Sequence, residues 1–383
     1  MGKLLWSNRQ LNGYNRLYDP SLNPLWTLEQ GLSDAEDGDH YSPKRDFFEW
    51  WYFDAAFDNG YRLVAILHSS LYNAVDHKPT VDIRITSPEG ASTLAIGRYP
   101  RTRYRSAPDH CDVMIAGCHA VAETAGLYRL RLRQGDVTVD LTYERRAPGW
   151  RPGTGYLFAD DATDRYFKWV VPVPVARVSG TVALNGRRME VRGTGYHDHN
   201  WGNMVLADVF DHWYWGRVTG EWQGEPWAAV FGDVVARGKQ PAHIRPFMLA
   251  LGGEIYSGIP QVSFQQHKSV TEPLTGVSYP AGLDLVSHSS GYQAEVSLCT
   301  RRVMEALDFA NSPFRRRWPR QLSEIAFYLA LGKPVLGRLA RRILGKASYL
   351  RLQSYGKVNL LNGNITRLSG DAIYEIMQFH AGE

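Results

Sequence analysis

A chain of 383 residues with 44% hydrophobic and 21% charged side chains has an ordinary globular composition, long enough for one large domain or two smaller ones. Its three cysteines, Cys111, Cys118 and Cys299, are odd in number and contain no CxxC pair, which argues against a disulfide framework or a thiolate metal site and points to a reducing compartment. The net charge of +4 is local: residues 313–351 hold ten basic side chains against the single acid Glu324, so the rest of the chain is acidic, and with no nucleic-acid motif in view a nucleic-acid binder is argued against.

No apolar run of signal-peptide length follows Met1, and Trp6 stands where myristoylation requires Ser or Thr. No stretch reaches the roughly 18 apolar residues of a spanning helix, so a cytoplasmic protein is expected. Residues 1–45 read as irregular and include the acidic run Asp34-Ala35-Glu36-Asp37-Gly38-Asp39. Strand patterns then dominate. Residues 49–57 and 61–68 flank Asp58-Asn59-Gly60, a strong hairpin signal. Residues 81–86, 128–133 and 137–143 follow, the last two joined by Gly135-Asp136. Val137, Val139, Leu141 and Tyr143 alternate with Thr138, Asp140 and Thr142, as on a half-exposed strand. Strands are next expected at 167–173, 178–184 and 189–193, with Asn185-Gly186 as a second hairpin turn, and then at 212–219, 227–235, 247–251, 282–287, 293–300, 355–360, 365–368 and 372–379. About sixteen short, regularly spaced strands predict sandwiches or barrels. No Gly-rich loop opens a helix after a strand, so no phosphate cradle is visible.

Residues 321–345 differ, with helical composition interrupted by Pro334. Beyond the proline, Leu336, Leu339 and Ile343 follow helical spacing while Arg338, Arg341, Arg342 and Lys346 cover the other side. Such a basic amphipathic element reads either as a peripheral membrane contact or as a helix packed over a barrel end. The 12 Trp, 21 Tyr and 14 Phe residues suggest wide cavities lined with rings.

The densest chemistry lies in Gly195-Tyr196-His197-Asp198-His199-Asn200-Trp201-Gly202, because buried polar groups at that density must each find a partner. This block, with Glu49-Trp50-Trp51-Tyr52-Phe53, resembles the carotenoid 1,2-hydratase (hydroxyneurosporene synthase)-like superfamily, which also includes kievitone hydratase and fungal decalin-forming Diels–Alderases. The segment Gly370-Asp371-Ala372-Ile373-Tyr374-Glu375 looks like the closing strand of the second barrel in that group. The resemblance implies an all-β protein of two tandem lipocalin-like antiparallel barrels, residues 1–205 and 206–383, with the basic segment 313–351 as an insertion. It also implies a hydrophobic pocket in or between the barrels, and no cofactor.

If both blocks are extended, Glu49, Trp51 and Phe53 share one side and Trp50, Tyr52 and Asp54 the other; likewise His197, His199 and Trp201 oppose Tyr196, Asp198 and Asn200. Hydration of an isolated alkene needs a desolvated proton donor and aromatic faces to stabilise the cation. Asp198 is the candidate acid with His197 or His199 as its partner, Glu49 the second candidate acid, and Tyr196 a further catalytic candidate. Trp50, Trp51, Tyr52, Trp201, Trp213, Trp215 and Tyr374 are candidates for the substrate wall, with Asn200 positioning water. The competing reading makes Asp198 and Asn200 turn caps and Trp201 a barrel plug. A metal reading would join His197 and His199 to Asp208, Asp211 and His212, but HxH spacing is common by chance. The expected function is acid-initiated hydration or cyclisation of a long isoprenoid or polyene. The rivals are a Diels–Alder-type cyclase that works by pre-organisation and a carrier that leaves its ligand unchanged.

Overall fold

The structure, a computed structural model, describes residues 31–72, 76–160, 162–238, 242–257, 261–273, 276–289, 291–308 and 348–379, together with the strands Trp6–Ser7 and Leu17–Tyr18. Two antiparallel sheets, each curled on itself, form two tandem lipocalin-like barrels. The main path of the first sheet runs Ser92–Arg98, Thr80–Thr86, Arg62–Ser70, Phe47–Phe57, Arg187–Asn203, Arg165–Leu184, Val137–Arg145, Leu127–Gln134, Cys118–Thr124, Asp112–Ile115 and Tyr104–Ser106. The second runs Glu254–Tyr256, Phe247–Leu251, Glu225–Ala236, Phe210–Trp222, Ile365–Gln378, Ser348–Leu361, Tyr292–Asp308, Ser278–Ser289 and Gln261–Thr271. A helical turn, Leu206–Val209, connects them in the chain.

The hairpin signals form turns. Asn185 (φ 50°) and Gly186 (φ 79°) are both left-handed, as a primed two-residue turn requires. Some strands are longer than their apolar runs. Arg165–Leu184 is one strand through Pro172 and Pro174, joining the two expected at 167–173 and 178–184. The ladder is bulged there: Val170 pairs with His199, Val173 with His197 and Ala176 with Gly195, so the prolines need donate nothing and the strand bends. The polar block, too, is part of one strand, Arg187–Asn203, paired residue for residue with Phe47–Phe57. Its bounding glycines meet packing demands: a Cβ on Gly195 would strike the Tyr143 ring and Val178, and one on Gly202 the Phe48 ring and the Tyr166 carbonyl.

Three large apolar cores follow from this alternation, beside a small cluster of Phe47, Val170 and Trp201. Trp51, Phe53, Leu67, Ile83, Leu130 and Leu141 fill the first barrel. Phe231, Leu249, Leu285, Val296, Leu352 and Tyr374 fill the second. The third lies between the barrels, where Phe48, Tyr52, Phe167, Trp169 and Tyr196 meet Phe210, Val230, Met248 and Met377. At about 25 cal/mol per Å2 of apolar surface removed from water, this shared core holds the barrels together. Polar contacts also tie them: Arg62 Nη2 to Asp371 (2.7 Å), Arg84 to Glu305, Arg217 to Asp54, and Arg351 Nη2 to the Tyr52 hydroxyl (2.8 Å). The basic element expected at residues 313–351 lies outside the described residues up to Ala347. Arg351, counted within it, is buried between the barrels. Among the described residues, no helix is long and apolar enough to cross a membrane.

Candidate functional site between the barrels

Strand alternation sends the polar block in two directions. His197, His199 and Trp201, with Glu49 and Trp51 across the ladder, turn into the first barrel. The acidic run expected to be irregular forms a short 3-10 turn, Asp34–Asp37, that delivers Asp37 to them. His197 Nε2 lies 3.0 Å from Asp37 Oδ1, while its Nδ1 donates to the Tyr52 carbonyl (2.9 Å). The Tyr128 hydroxyl donates to Asp37 Oδ2 (2.9 Å), and Trp51 Nε1 donates to the Asp37 carbonyl (3.0 Å). Burial opposes a charge on His197, but Asp37 more than offsets it and its pKa is raised. Glu49 accepts hydrogen bonds from the His40 amide (2.7 Å) and the Ser69 hydroxyl. Burial first, then the charge of Asp39, push its pKa well above the usual carboxylate range. Its Oε1 lies 3.3 Å from His199 Nε2, and burial, His40 and His197 hold that imidazole neutral. His199 Nδ1 donates to the Glu36 carbonyl (3.3 Å), while its Nε2 has no hydrogen-bond partner.

Tyr196, Asp198 and Asn200 face the opposite way, towards the second barrel. Asp198 accepts from the Tyr196 hydroxyl (2.8 Å) and Trp169 Nε1 (3.2 Å) on Oδ2, and from Asn200 Nδ2 (2.8 Å) on Oδ1. Three donors favour the carboxylate, yet burial outweighs them and raises the pKa to about 7. Asp198, Asn200, Trp50, Tyr52, Trp213 and Trp215 line a cleft of about 100 Å3. Trp50, Tyr52 and Trp213 also line a larger apolar cavity of about 440 Å3, walled further by Ile66, His68, Tyr72 and Met377. Burial holds His68 neutral, with its pKa lowered to about 3. Glu375 reaches both spaces from the second barrel; burial, partly offset by Arg351 and Tyr349, raises its pKa.

The site residues expected from sequence are thus divided. Asp198, Tyr196, Asn200, Trp50, Tyr52, Trp213 and Trp215 gather between the barrels. Glu49, His197, His199, Trp51 and Trp201 lie on the far side of the sheet and line neither space. Asp198 therefore has no hydrogen bond from His197 or His199 and shares no acid role with Glu49, because adjacent residues on one strand point apart. Tyr374 lies inside the second barrel, its hydroxyl on the Pro280 carbonyl (2.7 Å) and within 2.8 Å of Thr300 Oγ1. Asp198 and Asn200 are strand residues, not turn caps. The alternative metal set is not assembled either: His212 pairs with Asp211 (2.7 Å), and among the described residues the ligand-type group that does converge is Asp37, Cys111 and His197, whose Asp37 and His197 atoms are already joined by hydrogen bonds. Sequence reasoning missed Trp169, Glu375 and Asp37. The clue to Trp169 was its place on a strand next to the polar block, whereas Asp37 sat in a stretch without periodicity.

No family model matches the chain. CghA in complex with Sch210972 superposes with a TM-score of 0.63 at 14% identity, over 92% of this chain and 94% of that one. Kievitone hydratase from Nectria haematococca gives 0.51 at 14% identity, over 86% and 88%. An AttH-type protein from Nitrosomonas europaea gives 0.59 at 17% identity, over 92% and 98%. At these identities the likeness is one of fold. In sequence, 57 residues are 39% identical to hydroxyneurosporene dehydrogenase of Chlorobaculum tepidum; the match spans 13% of this chain and 15% of that protein.

Proposed function

We propose that the chain is an enzyme that binds a long isoprenoid or polyene between its barrels and protonates a carbon–carbon double bond, leading to hydration or cyclisation. The observation that carries this reading is Asp198, a buried carboxyl with a pKa raised to about 7, opening on a cleft walled by Trp50, Trp213 and Trp215. The Asp198 proton would pass to one alkene carbon, forming a C–H bond and leaving a cation on its neighbour and a carboxylate on Asp198. Indole faces stabilise that cation through their quadrupoles without trapping it. Water, or a second double bond of the substrate, then supplies electrons to the cation, and the proton released returns to Asp198. The shared fold with a hydratase supports this reading. The shared fold with CghA, a Diels–Alderase, supports a second one, in which the cleft folds a polyene for cycloaddition and no proton moves.

The test is incubation with linear isoprenoids and polyenes in heavy water, with products read by mass spectrometry. Carbon-bound deuterium that disappears with Asp198→Asn is the expected result. An isomer without deuterium would establish the pericyclic reading, and recovery of tightly bound but unchanged ligand would make the protein a carrier.

A further inference from the structure

Among the described residues, two carboxyl groups line the cleft between the barrels, and they come from opposite barrels. Asp198 belongs to Arg187–Asn203 of the first, Glu375 to Ile365–Gln378 of the second. Register explains how they meet. Asp198 stands opposite Tyr52 in its ladder, and Glu375 stands opposite both Arg351 and Trp215 in its own. Residues directly opposite on an antiparallel pair project from one face, so each carboxyl sits beside side chains that cross the gap. Arg351 Nη2 donates to the Tyr52 hydroxyl (2.8 Å), and the Trp215 ring meets that of Tyr196, whose hydroxyl binds Asp198, at 5.5 Å between centroids. Tyr374 and Ile376, on either side of Glu375, point the other way, into the core of the second barrel. Burial is the first cause of the raised Asp198 pKa, and the charge of Glu375 across the cleft adds to it.

The two carboxyls are held differently. Asp198 is surrounded by neutral donors, Tyr196, Trp169 and Asn200. Glu375 has a buried cation beside it: Arg351 Nη1 lies 3.6 Å from its Oε1, too far for a hydrogen bond but close enough to favour the carboxylate. A counter-ion for Arg351 alone needs no face on the cleft, yet the Glu375 side chain keeps 14% of its surface accessible and lines both the cleft and the apolar cavity. Two carboxyls in one cleft whose surroundings favour opposite protonation states suit the roles of acid and base.

We propose that Glu375 is the base of a hydration, taking a proton from the water that adds to the cation on the side of the substrate away from Asp198. This inference rests on Asp198 being the acid, and it replaces the direct return of the proton to Asp198. The Asp198 proton forms the C–H bond, the water oxygen gives a lone pair to the cation and forms the C–O bond, and a proton of that water passes to Glu375. A proton then moves from Glu375 to the Asp198 carboxylate by way of solvent and restores both groups. An acid and a base on opposite sides give anti addition, as a carboxyl pair with water between them attacks from the opposite face in inverting glycoside hydrolysis. Asp198 working alone would add proton and water to one face.

Squalene and geranylgeraniol, incubated with the full chain in heavy water, provide the test. The native protein should form alcohols that carry carbon-bound deuterium, with deuterium and hydroxyl anti to each other by NMR. Glu375→Gln keeps the shape of the side chain but cannot take a proton. It should lower the ratio of hydrated product to water-free deuterated isomers by about 10²–10⁴, the usual contribution of a general base. Deuterium incorporation should continue in that variant, because the Asp198 carboxylate can still take a proton from the carbon next to the cation. Glu375→Asp should recover part of the ratio. Syn addition, an unchanged ratio in Glu375→Gln, loss of deuterium together with added water in that variant, or no hydrated product from the native protein would each overturn the proposal. Should Glu375→Gln not fold, the stereochemistry on the native protein decides. Products without carbon-bound deuterium would sink the Asp198 reading as well, whereas deuterium with syn addition would sink this inference and leave Asp198 standing.

Discussion

Along residues 195–202, odd and even positions of one strand carry similar side chains in different surroundings. The odd face sets His197 and His199 against Asp37 and Glu49 in the filled interior of the first barrel. The even face sets Asp198 among Tyr196, Asn200 and Trp169 at the edge of a cleft. Both faces hold a buried carboxyl with a raised pKa. Of these two acids, only Asp198 on the even face borders the cleft between the barrels. Burial perturbs titration wherever it occurs, so a shifted pKa marks chemistry only where it also meets a cavity.

The sharpest way to break this contrast is to neutralise Asp198. In Asp198→Asn, the side-chain oxygen can still accept from Tyr196 and Trp169, and an Asn200 flip supplies the acceptor its new amide needs. The variant should therefore fold, yet lose about 10²–10⁴ in turnover, the usual contribution of a general acid. Retention of the native rate would remove Asp198 from the mechanism. On the odd face the corresponding loss is one of stability. His197→Phe leaves Asp37, 1% exposed, without its imidazole partner and should cost about 3–5 kcal/mol in chemical denaturation, with turnover per folded molecule unchanged. A fall in that turnover would mean that the two faces are not functionally separate.

pH gives a smaller, graded effect. An acid with a pKa of about 7 is protonated below that value, so turnover should fall above it, by roughly tenfold per pH unit. The same shift enters stability. The unfolded carboxyl titrates near 3.9, so the contribution of Asp198 favours the folded state fully below about that pH and is lost as pH rises through about 7. Melting curves of Asp198→Asn should lack this component; an unchanged slope between those values would place the titration elsewhere.

How much of this was legible depended on periodicity. Two-residue alternation within Glu49–Phe53 and Gly195–Gly202 was enough to separate the two faces, though not to say which one met a cavity. The hairpin at Asn185-Gly186 was readable because both residues tolerate positive φ. The continuity of Arg165–Leu184 was not, because Pro172 and Pro174 break strand patterns and only the bulged pairing shows how they are accommodated. Arg351 was masked by composition: counted in a basic stretch it looks like surface charge, and only the pairing of Ser348–Leu361 with its neighbours buries it. Arg217, flanked by buried Gly216 and Val218, was a lone charge in an apolar strand, and its partner Asp54 lay more than 160 residues away in the chain, beyond the reach of any local pattern.

The smallest expected effect repeats the Asp198 substitution on the other face. Burial and the nearby charge of Asp39 push Glu49 towards its neutral form, for which Glu49→Gln is an uncharged replacement of the same shape. The amide oxygen can keep the His40 N–H, and the amide nitrogen can donate to Ser69, whose hydroxyl rotates to suit. The substitution also removes the acid 3.3 Å from His199 Nε2, a buried atom that has no hydrogen-bond partner in the native protein. The net cost should lie near 1 kcal/mol, with turnover and its pH dependence unchanged. A penalty of several kcal/mol would mean that Glu49 is ionised in the folded protein and that His199 carries the proton; a fall in turnover instead would place a working acid on the odd face and erase the distinction between the two.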